Sequence, residues 1–304
     1  MIVAYAVFAV ILVLGAGLIF ARGEWRQSRG WERLILFGPV FYAAPIAAFG
    51  TEHFTTTRDI AALVPGWLPW HVFWAYVVGA CFIGAGLSLA TKVAARWAAS
   101  LLALTFFLFV LLMDLPGWAQ DLHSRFAAAL ALRELAFCAG ALALAASLGA
   151  MGRGRRGRAA ATVARYFIGI GVVFYCVEQF LHSHHVPGIP LEAMTPAWIF
   201  GHAVWTYLAA VVYAGGGALL LAGKRTRAAA TAVAAVALFV VLVVYVPMAV
   251  AEHTSLTGIN YAADTLMYCG TVLMLAGAMP GAASRESPIT APAKTLAGEA
   301  PAAG

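Results

Sequence analysis

Charge is what this sequence has least of. Asp, Glu, Lys and Arg make up 11% of its 304 residues against 63% hydrophobic ones, and the mean hydropathy is +0.87. Soluble domains run nearer about 25% charged, so a water-soluble core is excluded and the lipid bilayer is the expected solvent. Cysteine is sparse as well. Cys81, Cys138, Cys176 and Cys269 all lie in apolar segments, and none stands in the CxxC or CxxCH spacing of a zinc site, a redox pair or a covalently attached haem. They read as small packing residues. No phosphate-binding P-loop, GxGxxG after a strand, HExxH helix or GxSxG elbow occurs, which leaves a conventional hydrolase or kinase without its machinery. Basic residues exceed acidic ones, 19 against 13. They fall between the apolar segments and form no patch for nucleic acid, so that partner is not expected.

What is present is a series of apolar runs. About 20 such residues cross a bilayer as helix, and runs of that kind lie near 2–20, 33–50, 70–90, 97–115, 126–149, 163–182, 199–222, 228–250 and 260–279. An all-α, polytopic integral membrane protein with nine transmembrane helices is the expected fold class. The first run has no basic n-region and no clean A-x-A site, and Arg22, Arg26, Arg29 and Arg33 follow it, so it reads as a retained helix and not as a signal peptide. Of the 19 Lys and Arg residues, only Arg58, Arg125 and Arg133 lie outside the odd-numbered connections and the C-terminal tail. The positive-inside rule then places those connections and the tail in the cytoplasm and the N-terminus outside. A multi-pass protein of the bacterial inner membrane is expected.

The sequence also matches itself. Shifted by 131 residues, the stretch 65–145 aligns with 196–276 without a gap. Pro65, Trp67, His71, Trp74 and Tyr76 fall on Pro196, Trp198, His202, Trp205 and Tyr207, and Arg96, Pro116 and Cys138 fall on Arg227, Pro247 and Cys269. Upstream, Val40-Phe41-Tyr42 echoes Val173-Phe174-Tyr175. The expected organisation is an N-terminal helix with a basic loop (1–32), a first four-helix repeat (33–150), a basic linker (151–162), a second four-helix repeat (163–280) and a disordered tail (281–304). An even number of helices per repeat makes the two repeats parallel. Gly84, Gly86, Gly215, Gly216 and Gly217 are candidates for close helix approach.

Glu52-His53-Phe54, the run Val64-Pro65-Gly66-Trp67-Leu68-Pro69, Tyr76, Gly79, Gly84-Ala85-Gly86-Leu87 and Arg96 resemble the DoxX-like membrane proteins. The resemblance covers residues 41–115 and, more faintly, 173–247. It implies a tandem version of a four-helix unit. It also implies a possible relation to subunits of quinone-linked oxidation of reduced sulfur compounds, which would bring partner subunits of a membrane redox complex.

All eight histidines fall at or near the outer side of this topology, accompanied by Glu52, Asp114, Asp121, Glu178, Glu192 and Glu252. Imidazole with carboxylate is transition-metal ligand chemistry, and Glu52-His53, His184-His185 and Glu252-His253 are the candidate donors. Polar anchors at an interface from which Lys and Arg are kept would read the same way. His71 and His202, paired by the repeat at helix starts, are candidates for a cofactor such as a non-covalent haem. Glu178 and His182, one turn apart on a helix face, could hold a proton, a metal or a quinone headgroup. Arg133 and Asp264 occupy equivalent positions inside their spans and suggest an ion pair across the repeat interface. A local contact of Arg133 with Glu134 or Asp121 is the alternative. Three roles remain open: a redox-associated subunit binding quinone, haem or metal at the outer face, a small-solute transporter, and a structural or assembly subunit.

Overall fold

The computed structural model describes residues 2–148, 154–188 and 193–280, with every side chain among them except that of His202. The predicted tail and Glu192 lie outside the described residues. Among the described residues the chain is helical, with no strand beyond a single bridge between His185 and Met194. The first half holds α1 (Ile2–Gln27), α2 (Trp31–Leu36), α3 (Gly38–Thr55), α4 (Thr57–Leu63), α5 (His71–Thr91), α6 (Ala95–Phe109), α7 (Leu115–Gln120) and α8 (Arg125–Ser147). The second holds α9 (Arg155–Leu181), α10 (His202–Ala222), α11 (Thr226–Val240), α12 (Val246–Ala251) and α13 (Leu256–Ala278). Arg155, Arg156 and Arg158 therefore ride on the first turns of α9 and not in a linker.

Among the described residues, eight helices are long and apolar enough to cross a membrane: Ile2–Gln27, Trp31–Thr55, His71–Thr91, Ala95–Gln120, Arg125–Ser147, Arg155–Leu181, Ala203–Ala222 and Thr226–Ala251. The protein is a multi-pass helical membrane protein with lipid as its surroundings. α13 is as long as α8, but Asn260, Asp264, Thr265 and Thr271 lower its apolarity, and it is buried along most of its length.

Local geometry recurs at the 131-residue spacing. Trp70, Lys92 and Ala94 adopt left-handed backbone conformations, as do Gly201, Gly223 and Arg225. The indole Nε1 of Trp74 donates to the Pro69 carbonyl at 3.0 Å, and that of Trp205 to the Phe200 carbonyl at 2.8 Å. Ser124 and Ser255 cap α8 and α13 by accepting backbone N–H bonds from Ala127 and Thr257. Between α6 and α7 the helix widens into one i→i+5 turn at Val110–Asp114, and between α11 and α12 at Val241–Tyr245. Each widened turn leads into the proline, Pro116 or Pro247, whose missing N–H cannot continue the regular ladder.

Helices α8 and α13 run through the centre. α3 packs on α13 and α9 on α8, so the last helix of each half lies against a helix of the other. α1 stands outside against α3 and α5. Close approach rests on particular glycines: a β-carbon at Gly140 would sit 2.9 Å from Thr271 Cα, and one at Gly86 2.9 Å from the Ala43 carbonyl oxygen. Gly216 and Gly217 are similarly crowded, whereas Gly84 and Gly215 face open space and enable no contact. The bundle has two unlike ends. Glu24, Lys92, Arg96 and Arg227 gather at a basic end, and antiparallel running puts His53, His71 and His182 at the other, the histidine end.

Candidate functional site

Two turns in from the start of α8, about 12 Å along its axis, the guanidinium of Arg133 donates through Nη1 to Asp264 Oδ2 at 2.6 Å. Asp264 lies at the same depth on α13. A second guanidinium nitrogen of Arg133 lies 3.6 Å from Glu134 Oε1. The widened turn ending α6 directs a buried Asp114 inward, toward Arg133 and Glu134. One turn before Asp264 on the same helix, Asn260 donates to Glu52 Oε2 at 3.2 Å and ties α13 to the end of α3. Two fully buried tyrosines brace α8: Tyr42 donates to the Phe137 carbonyl at 3.1 Å and Tyr175 to the Ala129 carbonyl at 2.7 Å. Asp121, by contrast, caps the turn before α8 by accepting from the His123 N–H and is no partner of Arg133.

The cluster is electrically unbalanced. One guanidinium faces the carboxyl groups of Asp114, Glu134 and Asp264, and two uncompensated negative charges at this depth would be costly. Such a cluster keeps exchangeable protons. It also keeps spare hydrogen-bonding capacity, because Arg133 Nε, Glu134 Oε2, Asp114 Oδ2, Glu52 Oε1 and Asn260 Oδ1 are buried without a protein partner.

Nearer the histidine end, Glu178 Oε2 accepts from Arg125 Nε at 2.6 Å and lies 3.8 Å from His182 Nε2. The His182 ring stands edge-on to His185, with centroids 5.5 Å apart. Burial, then the neighbouring Arg125 and His182 side chains, hold the His185 imidazole below its ordinary range. His184 is exposed beside them. His53 is buried in α3, with Nδ1 2.7 Å from the Phe49 carbonyl oxygen and its ring edge-on to Phe82. His253 is exposed, its Nδ1 3.2 Å from the Val250 carbonyl oxygen, and Glu252 is exposed beside it. Among the described residues, no three His, Cys, Asp or Glu side chains converge as a metal site requires. His71 is half-buried at the start of α5. α5 packs on α1, α3, α4 and α6, whereas α10, which begins at His202, packs on α9 and α11, so the two helices do not pack together. The His202 side chain is outside the described residues.

Sequence reasoning missed the inward turn of Asp114 and the role of Asn260. Position gave a signal for the first: Asp114 precedes Pro116 by two residues, and its 131-residue counterpart is the fully buried Tyr245. A scan against protein-family models and searches of curated proteins and of solved structures find no match to this chain.

Proposed function

We propose that this chain is a DoxX-like protein of the bacterial inner membrane, built as one N-terminal helix and two parallel four-helix repeats. It spans the membrane nine times, with the N-terminus outside and the basic end in the cytoplasm. In this reading it is a redox-associated subunit, and the Arg133 cluster holds the headgroup of a quinone near the outer face. The observation that carries the reading is the buried Arg133–Asp264 pair with the carboxyl groups of Glu134 and Asp114 beside it. A quinone carbonyl needs a hydrogen-bond donor, which the unpartnered Arg133 Nε supplies. Its reduction to the quinol takes two electrons, which a partner redox subunit would supply, and two protons, which the surplus carboxyl groups can deliver.

The test is binding of a short-chain ubiquinone analogue to detergent-purified protein by equilibrium dialysis, together with extraction of resident quinone. Wild type is expected to bind saturably, and Arg133→Gln or Glu134→Gln to weaken binding at least tenfold while melting as a folded protein. Unchanged affinity in both variants, or no binding to wild type, would overturn the reading. Charges at the interface of parallel repeats also suit a proton-coupled transporter. Proton flux in liposomes that depends on an added solute and is lost in Glu134→Gln would favour that second reading.

A further inference from the structure

The basic end of the bundle is hollow. A cavity of about 780 Å³ opens among the ends of α1, α2, α3, α5, α6, α8, α11 and α13. This lies within the range of about 300–1,000 Å³ typical of small-molecule sites. Its inner wall is apolar, with Val40, Leu89, Leu144 and Leu273, and its rim carries Glu24, Glu32, Lys92, Arg96 and Arg227.

Four of the five rim charges are paired. Lys92 Nζ meets Glu24 Oε1 at 2.5 Å. Arg227 is bonded to Glu32 and donates to two carbonyls at the end of α13, Ala276 at 2.9 Å and the C-cap Met279 at 3.0 Å. Arg96, the counterpart of Arg227 at the 131-residue spacing, is exposed and has no ion pair or side-chain hydrogen bond among the described residues. The rim therefore carries one positive charge in excess, on a guanidinium free to form a fork of two hydrogen bonds.

A free cation over an apolar wall at a membrane face suits one kind of molecule. We propose that the cavity binds an anionic amphiphile, with its phosphate headgroup on Arg96 and its apolar stem along Leu89, Leu144 and Leu273. A phosphate-bearing lipid of the adjoining leaflet supplies that chemistry, since basic pockets between transmembrane helices take up such headgroups. A free phosphate-bearing molecule would share the headgroup contact but leave the apolar wall unused. The site stands apart from the Arg133 cluster. Between them the close approach of Gly140 to Thr271 seals α8 against α13.

The experiment is native mass spectrometry of the full chain released from vesicles of equal parts phosphatidylglycerol and phosphatidylcholine. Wild type should retain phosphatidylglycerol in preference to phosphatidylcholine. Arg96→Gln and the cavity-filling Leu144→Trp should each lower that retention at least fivefold, and Arg58→Gln at the other end should leave it unchanged. Melting temperature, followed beside it, shows that each variant is folded. In a parallel arm, inorganic phosphate is added to lipid-free protein. A rise in melting temperature that Arg96→Gln abolishes but Leu144→Trp does not would assign the headgroup contact to a free anion. Equal retention of the two lipids by wild type, or equal phosphatidylglycerol retention by wild type, Arg96→Gln and Leu144→Trp, with no effect of phosphate, overturns the proposal.

Discussion

Arg133 and Asp264 show how much depends on two side chains at this depth. Removing one partner strands the other charge, a loss of about 3–5 kcal/mol for buried pairs, whereas replacing both with apolar residues of similar volume is often neutral or better. Arg133→Leu alone is therefore expected to unfold at much lower denaturant in mixed micelles, and Arg133→Leu with Asp264→Leu to recover most of that loss. Equal stability of the single variant and wild type would mean that water or a snorkelled conformation already relieves the charge. The pair was readable beforehand, because adding 131 to Arg133 points to Asp264, and the two side chains meet. The bond between Glu52 and Asn260 was not readable. It joins positions 208 residues apart, and it exists only because α3 of one half lies against α13 of the other.

Among the elements, helix spacing is set by a few atoms of glycine. Gly140 and Gly84 both lie in helix interiors, yet only Gly140 faces a neighbouring backbone. Gly140→Val is expected to cost about 1–3 kcal/mol through overpacking, and Gly84→Val to stay within about 0.5 kcal/mol. Unfolding in mixed micelles compares the two directly, and a larger loss at Gly84 would contradict the packing described. Helix existence was legible from apolar run length, but helix phase was not. A widened turn such as Val110–Asp114 inserts an extra residue into the repeat, so a regular 3.6-residue pattern does not anticipate which way Asp114 points. The free glycines show the same limit, since composition names the small residues but not the ones with a neighbour.

At the scale of the molecule, charge separates the two ends. If the basic end is cytoplasmic, as proposed, the exposed Asp59 and Arg156 lie on opposite sides of the membrane. In a chain without its native cysteines, Asp59→Cys is expected to react with an impermeant maleimide in intact cells. Arg156→Cys should react only after permeabilisation. The reverse pattern would invert the topology, and labelling of both from outside would break it. Run lengths suffice to recognise a multi-pass helical membrane protein, because hydrocarbon thickness acts on composition. The cavity at the basic end was illegible, since it arises where eight helices stop short of one another and belongs to no single segment.

The charge pair also bears on how such a chain could arise. In an assembly of two identical single units, each position facing its own copy across a twofold axis meets itself, arginine against arginine or aspartate against aspartate. Opposite charges at that place are available only when both halves are encoded together and free to diverge. Once Arg133 and Asp264 differed, Arg133 still had Glu134 beside it in its own half, but Asp264 depended on the other half for its counter-ion, and separating the two would expose a bare charge there. The covalent join then acts as an evolutionary ratchet, easy to enter and hard to reverse.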